Sequence, residues 1–281
     1  MSLVTVIAVV LLVSLVLYAL TGGADYGGGM WDLLAQGPRA KEQREVIASA
    51  IRPIWEANHV WLILVVTVPF TAFPRGFAAV MTALHIPLTI VLIEIILRGA
   101  AFVFRSYGPD RDRIEKFWSR VFGAASFLTP FFLGMSLGAL SSGDIHIDES
   151  GQLTSGFFSG WTDHFAFSCG LFAQGMFALL AATYLTVDAE GEPEVQEDFR
   201  KRALISEVLL LPAAALVFFV AMAKAPLLFE RLTAWWAPWI LIGTSVFAIV
   251  GTAALWKRWF RGARLAVGTQ VAFIVVGWGL V

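Results

Sequence analysis

An all-α, polytopic bundle of about eight membrane-spanning helices is the fold class this sequence predicts, and three observations predict it. Hydrophobic residues make up 58% of the 281 and charged residues 15%, whereas a soluble domain carries about a quarter charged; mean hydropathy is +0.75. The apolar residues fall in continuous runs of about 20, the length that crosses bilayer hydrocarbon as a helix. Barrel strands would instead alternate over about ten residues. Finally, the basic residues concentrate in every second connection between the runs. The whole chain, 1–281, reads as one integral membrane domain.

The runs follow in order. Leu3–Leu20 is N-terminal and apolar, yet no Lys or Arg precedes it and TGGADYGGGMWD after it does not resemble a cleavage site, so it reads as a retained first span. Asp25 then falls in a glycine-rich loop just past that span. Pro53 suits a helix start and opens the second run, Ile54–Phe73. Phe77–Leu97, Phe117–Leu140, Trp161–Val187, Ala203–Ala223, Trp235–Trp256 and Leu265–Val281 complete the set. The connections after the first, third, fifth and seventh runs hold all of the 20 basic residues except Arg75, Lys224 and Arg231. That asymmetry is the positive-inside pattern and places the N-terminus outside the cytoplasm. Tryptophans such as Trp31, Trp55, Trp61, Trp118, Trp161 and Trp256 cluster near run ends, where an amphipathic ring prefers to sit. The last run closes without a polar anchor, and a carboxylate inside hydrocarbon is costly, so the natural sequence is expected to continue.

Composition also excludes. A net charge of −1 offers nothing to recognise nucleic acid. Cys169 is the single cysteine; it cannot form an internal disulfide, and its apolar setting, FAFSCGLF, reads as a buried inert thiol.

Ionisable groups at membrane depth are costly and default to paired or functional roles. Asp25 among glycines either takes up protons or caps a turn. In IRPIWEANHVWLI, Glu56, Asn58 and His59 occupy the first turns of the second span, and Glu56 and His59, three apart, share a face. A half-desolvated Glu56 has a raised pKa that suits proton carriage; the alternative is an interfacial acid favoured by the helix N-terminus. Glu94 and Arg98, four apart, form either a relay or an ion pair. His85 lies about 13–14 Å from Glu94 along the axis and is the histidine placed to reach deepest in a span. Asp163, His164, Glu207 and Lys224 read as solvated or paired helix ends. A haem needs an axial ligand facing into the bundle, and the four histidines form no bis-haem pair, CxxCH or metal-ligand cluster. The residues themselves therefore predict no cofactor and no metal on this chain.

Taken in order, ADYGGGMWDLL, IRPIWEANHVWLI, FPRGFAAVM and LRGAAFVFRS resemble subunit II of cytochrome bd-type quinol oxidases, and the glycine-rich variants resemble the cyanide-insensitive branch. The resemblance implies two four-helix bundles plus a ninth span. It implies a heterodimer with a subunit I that carries two b-type haems, a haem d and the quinol site. The pair would oxidise quinol and reduce oxygen to water in a bacterial inner membrane, taking the protons from the cytoplasm. The second subunit lacks haem ligands and helps to supply those protons, and the family's motif acids match Asp25 and Glu56. The resemblance leaves room for a structural quinone or lipid and for a small single-span accessory subunit. Two departures stand out: the chain stops after its eighth run, and Gly22 and Gly23 stand where some relatives carry acids. A secondary transporter is the rival class. Pro87 and Pro212 would break the third and sixth spans, although no matched pair of broken segments appears in the two halves.

Overall fold

The computed structural model describes residues 2–53, 55–107, 111–148 and 153–280. Every regular element among them is helical, apart from an isolated antiparallel bridge, Ile147 to Leu153, in a connecting loop. The polytopic all-α bundle stands. Seven helices are long and apolar enough to cross a membrane, and the second predicted span corresponds to a shorter apolar stretch, Asn58–Ala72.

α1 (Leu3–Leu33) runs well past its predicted end and carries the glycine-rich segment as helix rather than loop. At 31 residues it is about 46 Å long. Hydrocarbon leaves the backbone no partner outside the helix, so glycines there need not break it. They serve close approach instead. A β-carbon on Gly23 would come within 2.7 Å of the Phe177 ring, and one on Gly27 would collide with the Phe177 carbonyl oxygen.

α2 (Ala40–Ile51) is a short amphipathic helix that buries Gln43, Val46, Ile47 and Ile51 on one stripe. α3 (Trp55–Ala72) is followed by α4 (Pro74–Ala83) and α5 (His85–Tyr107). The predicted third span is thus divided: its first turns form α4, and the crossing helix begins at His85. Pro87 falls in the first turn of α5, where its missing N–H costs nothing. Pro212 lies inside an unbroken helix, so neither proline breaks a span at mid-depth.

α6 (Arg111–Ser142), α7 (His164–Asp188), α8 (Pro193–Lys224), the short α9 (Pro226–Leu232), α10 (Ala237–Trp256) and α11 (Phe260–Gly279) follow. α1 packs against α3 and α6, and α6 against α5; α7 packs against α8 and α11, and α11 against α10. These are two four-helix groups. They join where α1 and α6 meet α7, and where α1 meets α11. Small residues bring α6 and α7 together: a β-carbon on Gly134 would lie 2.6 Å from the Cys169 carbonyl, and one on Gly138 2.8 Å from Ala166 Cα.

Candidate functional site

The continuous α1 decides where Asp25 goes. Eight residues short of the helix end, it lies about 12 Å inside and is 3% exposed. It faces α5, where Arg98 Nη2 donates to Asp25 Oδ1 at 2.6 Å. Both side chains are removed from solvent, 8% and 4% exposed respectively. Neither charge would be tolerated there alone, because desolvation exceeds what an unpaired ion recovers. The guanidinium also lies over Tyr26, 4.2 Å from the ring centroid, and near Phe122 at 4.9 Å. Tyr26 in turn shares a hydrogen bond with Tyr18, hydroxyl to hydroxyl at 3.1 Å.

A small cavity of about 10 Å³, room for about one water, opens beside this pair. It is lined by Asp25, Tyr26, Trp55, His59, Arg98 and Phe102, among others. His59 is half-buried; its Nδ1–H donates to the Trp55 carbonyl at 2.8 Å, one turn back along α3. Trp55 closes the gap to α5 by packing on Phe102, with ring centroids 5.2 Å apart. The segment that begins α3 thus meets the Asp25–Arg98 pair through Trp55 and His59.

Other assignments change. Asp25 is not in a loop but inside α1. Arg98 pairs with Asp25 and not with Glu94; the continuous α1 brings a fully desolvated carboxylate to it. Glu94 is 5% exposed, its Oε2 has no partner, and the Thr129 hydroxyl is its polar neighbour. Asn58 is also buried, with Nδ2 unpartnered, and does not line the cavity. His85 is exposed at the start of α5. Its Nδ1–H donates to the Thr82 carbonyl at 2.8 Å and its ring meets Phe157 edge-on, so it is far from this cluster and not deep in a span. Glu56 lies on α3, and its side chain is outside the described residues. Asp163 pairs with Lys224 at 3.8 Å at a helix end, as expected.

Several buried polar groups were missed in the sequence or, like Glu207, read as a helix end. Glu207 is central in α8, because that helix begins ten residues before the predicted span, and it accepts from Gln270 Nε2 at 3.1 Å. Tyr18 and Tyr26 meet because α1 stays helical between them. A lone amide in an apolar run, GTQVAFIVV, is the signal that would have flagged Gln270. Among the described residues, no group of three His, Cys, Asp or Glu side chains is placed to hold a metal ion.

The family described as cytochrome bd terminal oxidase subunit II matches residues 3–281. Subunit 2 of the cytochrome bd-I ubiquinol oxidase of Escherichia coli (strain K12) is 29% identical over 243 residues, which are 85% of this chain and 58% of that protein. Subunit 2 of the cytochrome bd ubiquinol oxidase of Bacillus subtilis (strain 168) is 35% identical over 121 residues, 43% of this chain and 35% of its own length. The chain therefore spans less than two thirds of the length of these relatives. A chain of the solved bd oxidase from Geobacillus thermodenitrificans matches with a TM-score of 0.82 at 20% identity, covering 98% of this chain and 83% of that one. At that identity the likeness is one of fold.

Proposed function

We propose, from the premise that this chain belongs to the cytochrome bd terminal oxidase subunit II family, that it is the non-haem subunit of a quinol:oxygen oxidoreductase. In this reading it scaffolds a haem-bearing subunit I in a bacterial plasma membrane and carries protons toward it for the reduction of oxygen to water. The two b-type haems, the haem d and the quinol site belong to that partner, and the N-terminus faces the outer side.

The observation that supports the proton role is the buried Asp25–Arg98 pair beside a one-water cavity that His59 also lines. Asp25, paired with Arg98, places carboxyl oxygens inside hydrocarbon. A water in the cavity can pass it a proton from the basic-loop face, where Glu56 and His59 begin α3. Glu94, one turn of α5 farther from that face, is the next carboxyl. The Tyr26 and Tyr18 hydroxyls extend the polar track along α1. Exposed apolar faces such as Leu92, Ile93 and Ile96 on α5 suit a bilayer or a partner subunit.

Glu56→Gln tests the entry step. In the assembled oxidase it should slow quinol-driven oxygen consumption by about a hundredfold, the lower end of the range for loss of a proton-transferring group, with haem content unchanged. Wild-type turnover with assembly verified would remove Glu56 from the path.

A further inference from the structure

The basic face carries a second polar feature that the proton path does not use. Between the α1–α2 connection and the start of α8 lies a cleft of about 210 Å³, lined by Gln36, Arg39, Gln43, Asp198, Lys201 and Arg202. Its one carboxylate is already answered. Arg39 donates from Nε to Asp198 Oδ2 and from Nη2 to Oδ1, both at 2.8 Å, and Gln43 Nε2 donates to Oδ2 at 2.8 Å. Two further cations line the cleft, Arg202 and Lys201. Arg202 donates from Nη2 to Gln43 Oε1 at 2.7 Å, while its Nη1 is buried without a partner, and its guanidinium lies 5.1 Å from the Trp31 ring centroid. Lys201 is exposed at the rim. An oxyanion with several acceptor atoms is the chemistry that such a pair of donors recognises.

What lies below the cleft says which oxyanion. From Lys201 toward the membrane interior, α8 presents Ile205, Val208, Leu209 and Leu216, 58%, 65%, 61% and 44% exposed. Their spacing keeps them on one face of the helix. A phosphate seated against Lys201 and Arg202 would leave attached acyl chains lying along this stripe, and free phosphate would make no use of it. We propose that the cleft binds the phosphate of an anionic phospholipid from the leaflet on the basic-loop side, with Lys201 and Arg202 as its ligands.

The test uses the full chain purified from membranes and equilibrated with equal amounts of phosphatidylglycerol and phosphatidylcholine, with retained lipid counted by native mass spectrometry. Phosphatidylglycerol should be retained in preference by about fivefold or more, on the scale of one juxtamembrane cation. Lys201→Glu, at an exposed position outside the Asp198 network, should abolish that preference. Arg202→Gln, checked for wild-type helicity by circular dichroism, should do the same, and excess inorganic phosphate should leave lipid retention unchanged. Equal retention of the two lipids, an unaltered preference in Lys201→Glu, or displacement of the lipid by inorganic phosphate would overturn the proposal.

Discussion

Asp25 and Arg98 stand 73 residues apart in the chain, and their pairing controls what each can do. Removing one partner strands a charge in hydrocarbon, at a cost of about 3–5 kcal/mol; exchanging both for neutral groups of similar shape is often close to neutral. Asp25→Asn and Arg98→Gln should therefore each lower the thermal midpoint of the purified chain markedly, and the double variant should recover most of the loss. Additive losses in the double variant would mean that the two side chains do not act as a pair. His59, Arg98 and Glu94 were identifiable from the sequence as costly near or at membrane depth, and Asp25 as an acid of interest, although it read as part of a loop. Their partners were not. Spacing within one helix ties Glu94 to Arg98, but a desolvated guanidinium takes the carboxylate that tertiary packing brings closest, and that contact lies on another helix.

At the scale of elements, the glycines of α1 set how near the two bundles come. Gly27 packs against the Phe177 backbone of α7, where a side chain has no room to yield. Gly27→Val should destabilise the chain by about 1–3 kcal/mol, the range for overpacking a tight interface. It should also lower the yield of folded protein in detergent. Gly76→Ala, at a position with nothing within 4 Å of an added β-carbon, should leave both unchanged. Apolar run length located the spans well because bilayer thickness fixes it. It missed the extension of α1, because glycine signals a loop in water and a packing surface in lipid. It also merged α4 with α5, since the break at Leu84 leaves hydropathy unbroken. α2 went unnoticed because its apolar stripe of Val46, Ile47 and Ile51 is too short to register as a run.

Over the whole molecule, contacts among Arg39, Asp198, Arg202 and Gln43, and of Arg261 and Arg264 with Glu190 and Asp188, gather basic side chains where α1, α7, α8 and α11 end or begin. The cavity beside Asp25 sits toward the basic end, where α3 and α5 approach each other through Trp55 and Phe102. Spans two and three and the first helix thus share one polar spot in an oily bundle, the spot on which the proposed proton route depends. Because the Asp25→Asn/Arg98→Gln double variant removes both charges together, it separates proton delivery from folding. Quinol-driven oxygen consumption by this variant, assembled with the proposed haem subunit, is the decisive measurement. Haem bands at wild-type intensity with oxygen consumption reduced about a hundredfold are the predicted result; wild-type consumption in that same preparation would contradict a proton route through the pair.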